Sequence, residues 1–219
     1  MNKIKPFKSA PYKKPIGLSS ILKAVKIPMN GVLHIGAHYG QEVKEYDSVS
    51  IPIIVLVEPL AKPFGELSRR FLSRKDITLI NCAVGNKEET VSLYTETRNG
   101  GQSSSILKPK LHRDIFPKIV FNGIEKVYQR KIDNMSIDRR INVFNIDVQG
   151  YELEVLKGAR KFLSGIDYLI CEVNKLEMYE NCVLVEQLDK FLKVFGFYRF
   201  QTTWIKECYG EAVYIKKRI

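Results

Sequence analysis

VLHIGAHYGQE, residues Val32 to Glu42, opens with a short apolar run and closes with a turn bracketed by two glycines. Val32 to Ile35 reads as a buried strand, and Gly36 to Gly40 as a turn that leads, at Gln41, into helix-compatible sequence. Glycine suits a place where backbone passes close to a ligand, because a Cβ there would take the ligand's volume. A second apolar run, Ile53 to Val57, ends in Glu58. Its carboxylate at the C-terminal edge of a strand can accept two ribose hydroxyls. In an open α/β sheet that edge is where ligands bind. Together the two runs point to a nucleoside-bearing cofactor.

Working outward, the spacing predicts a short helix at Leu18 to Lys26, a helix at Gln41 to Tyr46, a helix at Ala61 to Leu72 and a third strand at Ile77 to Ala83. Strand, helix, strand, helix, strand implies parallel pairing with right-handed crossovers. Thr90 to Tyr94 and Glu125 to Ile132 alternate like strands, while Thr95 to Pro109 (TETRNGGQSSSILKP) has the composition of a loop. Residues 88–134 therefore read as inserted strands with a mobile loop. Alternation resumes with strand Ile141 to Ile146, ending at Asp147, then helix Gly150 to Leu163 and strand Tyr168 to Val173. A helix at Leu184 to Phe195 follows. Strands Phe197 to Thr203 and Glu211 to Lys216 would form a terminal hairpin that adds one antiparallel strand.

Composition sets the outer bounds. The chain has 219 residues, 45% of them hydrophobic, enough for one core: a domain at 29–219 preceded by a basic arm at 1–28. Seven lysines and no acid lie in that arm, so seven of the eleven net positive charges belong to it and +4 to the rest. Such an arm is either a solvated leader or a contact for nucleic acid. No apolar run reaches the roughly 18 residues of a membrane span. Met1 to Pro28 lacks the apolar middle of an export signal. Cys82, Cys171, Cys182 and Cys208 form no CxxC pair and read as reduced thiols of a cytoplasmic protein.

Two nucleoside cofactors fit a glycine turn followed by an acid on the next strand. Nicotinamide dinucleotides favour GxGxxG, whereas GAHYG has two glycines four apart and suits S-adenosylmethionine, which carries no phosphate. A further segment, NIDVQGYELEVLKGA from Asn145 to Ala159, follows VLHIGAHYGQE, VLVEP (Val55 to Pro59) and NCAVG (Asn81 to Gly85) in that order. This ordered set, with the serine loop GGQSSSI, resembles the FkbM-type family of S-adenosylmethionine-dependent methyltransferases over about Gly31 to Val173.

The resemblance implies an α/β fold: a Rossmann-like seven-stranded class I methyltransferase sheet, mostly parallel, with helices on both faces. It implies methyl transfer, most often to a hydroxyl of a sugar, polyketide or other small molecule. By position, Gly36, Ala37, His38, Tyr39 and Gly40 would border the methionine part of the cofactor. Glu58, with Pro59 beside it, would hold the ribose, and Cys82, Ala83 and Val84 would line the adenine pocket. His34 stands where an acid is usual, and Glu42 would supply that charge. Gln149 stands where many relatives have Glu.

A hydroxyl acceptor needs its proton removed during attack. Asp147 is the candidate base, with helix capping at Gly150 as its rival role. Glu172 is a second candidate. Asp147, Glu152 and Glu172 together would suit a hard cation such as magnesium. Ser104 and Ser105 are candidates for acceptor contact, Trp204 for stacking on a sugar, and His112 reads as surface. The alternatives to a glycan or small-molecule O-methyltransferase are an RNA-modifying enzyme that uses the basic arm, and a cofactor-binding scaffold. The acceptor and the oligomeric state are not written in these motifs.

Overall fold

The computed structural model describes residues 17–217, so most of the basic arm lies outside the described residues. Chain order gives α1 (Leu18–Val25), β1 (Val32–Ile35), α2 (Val43–Ser48), β2 (Ile54–Val57), α3 (Ala61–Phe71) and β3 (Ile77–Ile80). Then come β4 (Ala83–Val84), β5 (Glu89–Glu96), α4 (Leu111–Ile115), β6 (Phe121–Arg130) and β7 (Val143–Ile146). The chain ends with α5 (Glu152–Lys157), β8 (Tyr168–Asn174), α6 (Val185–Val194), β9 (Phe197–Ile205) and β10 (Tyr209–Lys216).

Seven strands form the main sheet in the order β3-β2-β1-β7-β8-β10-β9, with β10 antiparallel to both its neighbours and the first five parallel. The strands β1, β2 and β7 are buried on both faces, as central parallel strands must be. Leu33, Ile35, Val57, Phe144 and Ile146 pack on one face against Val155 and Leu156 of α5 and Leu188 and Leu192 of α6. Val32, Ile54, Leu56 and Val143 pack on the other against Leu18 and Ile21 of α1, Val43 and Tyr46 of α2, and Leu67 of α3. This is the mostly parallel, two-faced sheet expected, with its antiparallel terminal hairpin.

Several boundaries, and the placement of His112, differ from expectation. The third strand breaks at Asn81, whose amide donates to the carbonyls of Glu58 and Pro59 and turns the chain out of the sheet. Beyond the break, β4 pairs with β6 instead, in a small sheet of order β4-β6-β5. The helix after β7 begins two residues late and breaks at Gly158, where a Cβ would stand 2.0 Å from the Gly85 carbonyl. A 3-10 turn, Phe162–Gly165, replaces its last part. His112 is 6% exposed, packed among Phe116, Phe121 and Tyr179, and is not a surface residue.

His34 is neutral in the core, with its pKa pushed down to about 3 by burial. The Tyr46 hydroxyl accepts from Asn145 Nδ2 at 2.8 Å and lies 3.0 Å from His34 Nδ1, to which it donates. This bond ties α2 to β1 and β7 beneath the strand ends. Tyr46→Phe leaves both partners unmet in a dry place, so chemical denaturation should show a loss of about 1–3 kcal/mol with an unchanged m-value.

Candidate functional site

The C-terminal ends of β1, β2, β7 and β8 open into a cleft of about 460 Å³, closed on one side by the loop from Asn99 to Ile106 and on another by the start of β10. Pockets for small ligands run from about 300 to 1,000 Å³. Gly36 follows β1 at φ +83°, and a Cβ there would lie 1.8 Å from the carbonyl oxygen of Asp147, which follows β7. The two corners therefore touch, and only glycine permits it.

Glu58, 4% exposed, forms the next wall. Its Oε2 accepts from the His38 backbone N–H and its Oε1 from that of Leu60, both at 2.8 Å. These bonds pin the turn after β1 to the end of β2. Burial nonetheless pushes the carboxyl up to about 7 against those two bonds. Each oxygen keeps a further lone pair for a hydroxyl. His38 holds φ +47° and sets its Nε2 2.7 Å from the Gly100 carbonyl, while Gln41 Nε2 meets its Nδ1 at 3.1 Å. A carbonyl only accepts, so the proton is on Nε2 and His38 latches the loop over the cleft.

Asp147 is open to the cleft, and burial of its surroundings raises its pKa while the Gln149 amide lowers it. Gln149, in a left-handed conformation at φ +57°, gives Nε2 hydrogens to Asp147 Oδ1 and Glu172 Oε2, each at 2.7 Å. Its Oε1 lies 2.9 Å from the Tyr179 hydroxyl, and its carbonyl accepts from Ser105 Oγ at 2.7 Å. Glu152 holds the turn before α5: its Oε1 accepts from the backbone N–H of Gly150 at 2.9 Å and of Val148 at 3.3 Å. No side chain caps the N-terminus of α5, so Asp147 does not hold that role.

The expected magnesium set is corrected by the same contacts. Glu152 is wholly buried under the turn, the Gln149 amide lies between the other two carboxylates, and among the described residues no group of three acids, His or Cys is placed to hold a metal. Of the other expected residues, Glu42, Pro59, Cys82, Ala83, Val84, Ser104 and Ser105 line the cleft. Ala37 turns into the core, and Gly40 packs against Phe71 and Leu67. Tyr39 lies outside the cleft lining, with its hydroxyl 3.4 Å from the Gly100 carbonyl. Trp204 packs against the main core under Lys175, whose Nζ is 4.3 Å from the ring, and does not reach the cleft.

Sequence reasoning missed Glu211, Asn174 and Tyr179, all in the cleft wall. Glu211 on β10 stands directly across from Glu172 on β8, a like-charged pair that only the strand register reveals. A lone acid before the apolar run Ala212 to Ile215 was its one trace.

The Methyltransferase FkbM domain matches residues 34–198, most of the chain and the ends of β1, β2, β7 and β8 at the cleft. The chain belongs to the FkbM methyltransferase family. A curated relative, the 2-O-methyltransferase NoeI of Sinorhizobium fredii (strain NBRC 101917 / NGR234), is 21% identical over 169 residues, which cover 73% of this chain and 70% of that protein. Among solved structures, methyltransferase FkbM from Methylobacillus flagellatus KT superposes with a TM-score of 0.57 at 15% identity over 85% of this chain. This chain spans only 43% of that one. The magnesium protoporphyrin IX methyltransferase of Synechocystis PCC 6803, solved with bound SAM, gives 0.51 at 11% identity, covering 91% of this chain and 76% of that one. These likenesses confirm the fold of this FkbM-family chain.

Burial, then the charges of Asp147, Glu45 and Glu42, push Glu211 up to about 7 from 4.5. A carboxyl with a raised folded-state pKa contributes fully below the unfolded value and loses its contribution as pH rises through the folded one. Glu211→Gln should therefore raise the thermal midpoint relative to the parent by an amount that grows from about pH 5 to about pH 8. A difference that does not vary with pH would show that this carboxyl is not strained.

Proposed function

We propose that this FkbM-family chain transfers a methyl group from S-adenosylmethionine to a hydroxyl of a sugar, glycan or similar small molecule. The observation that carries the reading is Asp147: free of any capping bond to α5, open to the cleft, and touching the Gly36 corner beside Glu58. The residues present fit the donor. Gly36 offers bare backbone, Glu58 has lone pairs left for ribose hydroxyls, Cys82, Ala83 and Val84 give a mixed apolar wall for a base, and Glu42 stands ready for an ammonium group.

When bound, S-adenosylmethionine supplies a methyl group already activated by its positively charged sulfur. The protein's task is then alignment and proton removal. Asp147 takes the hydroxyl proton as the oxygen attacks, and its raised pKa brings it nearer to neutral pH as a base. Gln149 holds Asp147 and Glu172 in place, and Tyr179 holds Gln149. The loop latched by His38 and Ser105 keeps the acceptor side of the cleft enclosed.

O-methyl transfer is supported by the activity named for the Sinorhizobium relative. The acids Glu42, Glu58, Asp147, Glu172 and Glu211 around one cleft favour an uncharged, hydroxylated acceptor over a phosphate-bearing nucleic acid, which would be repelled.

Glu58→Gln turns an NH2 group toward a backbone N–H of His38 or Leu60. Calorimetric titration with S-adenosylhomocysteine should show affinity falling by about tenfold to a hundredfold; unchanged affinity would place the ribose elsewhere. Asp147→Asn keeps the shape of the site but removes the base. Transfer of labelled methyl to fractionated host glycans, lipids and RNA should fall by about a hundredfold or more. Retained transfer would remove Asp147 as base, and label confined to RNA would overturn the acceptor class.

A further inference from the structure

Beyond Glu172 the cleft continues into a recess that neither the cofactor residues nor the base employs. Its walls include Asn174 at the end of β8, His112 on α4, Met178, Tyr179, and Tyr209 at the head of β10. Asn174 lies two residues beyond Glu172 on the same strand, so both side chains leave the same face of the sheet.

Asn174 is 0% exposed, and neither its Nδ2 nor its Oδ1 has a hydrogen-bond partner. His112 Nδ1, in the same recess, is likewise buried and unpartnered. Native proteins satisfy nearly all buried polar groups, and a carboxamide with both ends unmet is among the costliest to leave. A role in packing would be filled better by leucine, which has nearly the same shape and no polar atoms. The unmet amide therefore awaits a partner that both donates and accepts.

The neighbours narrow the chemistry of that partner. The recess is lined by the rings of His112, Tyr179 and Tyr209 and the thioether of Met178, with Phe116 and Phe121 packed behind. Flat aromatic surface takes the C–H faces of a ring, while one carboxamide takes a hydroxyl on its rim. A saccharide ring carries both features.

We propose that Asn174 is the acceptor-recognition residue, its carboxamide bonding a saccharide hydroxyl other than the one methylated. This rests on the reading of the cleft as an O-methyltransferase site. It names the residue that selects the acceptor and places the acceptor between Glu172 and the His112–Tyr179–Tyr209 wall.

The test uses the full chain with labelled S-adenosylmethionine and methyl glycosides of hexoses, pentoses and N-acetylhexosamines. For the best-labelled glycoside, Asn174→Leu should raise KM by about tenfold or more, the size of one lost hydrogen bond to a buried amide, while the dissociation constant of S-adenosylhomocysteine changes by less than about twofold. Monodeoxy analogues give a readout that needs no variant. With the parent enzyme one analogue, lacking a hydroxyl other than the methylated one, should show the same rise in KM, and with Asn174→Leu that analogue and its parent glycoside should perform alike. Labelled glycosides with an unchanged KM in Asn174→Leu, or a parent enzyme indifferent to every such deletion, overturn the proposal and leave the methyltransferase reading standing. Cofactor binding without label on any glycoside overturns the saccharide class and this proposal with it.

Discussion

A missing side chain sets the geometry of this molecule's working edge. Gly36 lets the corner after β1 rest on the Asp147 carbonyl after β7, a contact that any Cβ would force apart by more than an ångström. Everything at the cleft follows from that closeness. The turn continues through His38 at a positive φ, which brings its backbone N–H to Glu58 and its ring to the Gly100 carbonyl. One contact thus couples the ends of three strands and the loop above them. Packing below holds it in place: β1 and β7 are paired from Val32↔Val143 to Ile35↔Ile146 and buried on both faces.

The fold was legible because its signals are local and repeated. Apolar runs of four or five residues, glycine turns and helical spacing in Ala61 to Leu72 mark a parallel sheet whatever lies around them. Where the reading slipped, the deciding atoms are distant in sequence. The Asn81 amide bonds the carbonyls of Glu58 and Pro59 where the chain leaves the sheet, and Gly158, where the helix after β7 ends, lies so close to the Gly85 carbonyl that no Cβ fits. No window of sequence around either position contains its partner.

The site shows the same division more sharply. Glu58 and Asp147 could be placed at strand ends from the pattern alone, and both line the cleft. Their roles depended on contacts that the pattern does not record. Asp147 was a candidate base or helix cap, and no side chain caps α5; Glu152, expected only as a cation ligand, instead accepts from the backbone of Gly150. Gln149 looked like a departure from a usual acid. In place it is the hub that joins Asp147, Glu172 and Tyr179, and its positive φ is the cost of that position. Glu211 and Trp204 were misjudged in opposite directions, because strand register decides which residues of a terminal hairpin face the cleft and which face the core.

The electrostatics of the cleft give the arrangement a direction. Burial raises the pKa of Glu42, Glu58, Asp147, Glu172 and Glu211 alike, and for Glu172 the nearby charges of Asp147 and Glu152 add to it. Ionising all five in so small a space without a counter-charge is unfavourable. A cation entering the cleft relieves that repulsion and is held by it. Under the proposed reaction the donor's sulfur is positive before transfer and neutral after it. The field that draws the donor in therefore loses part of its hold once the methyl group has moved, and the carboxylates favour the reactant over the product.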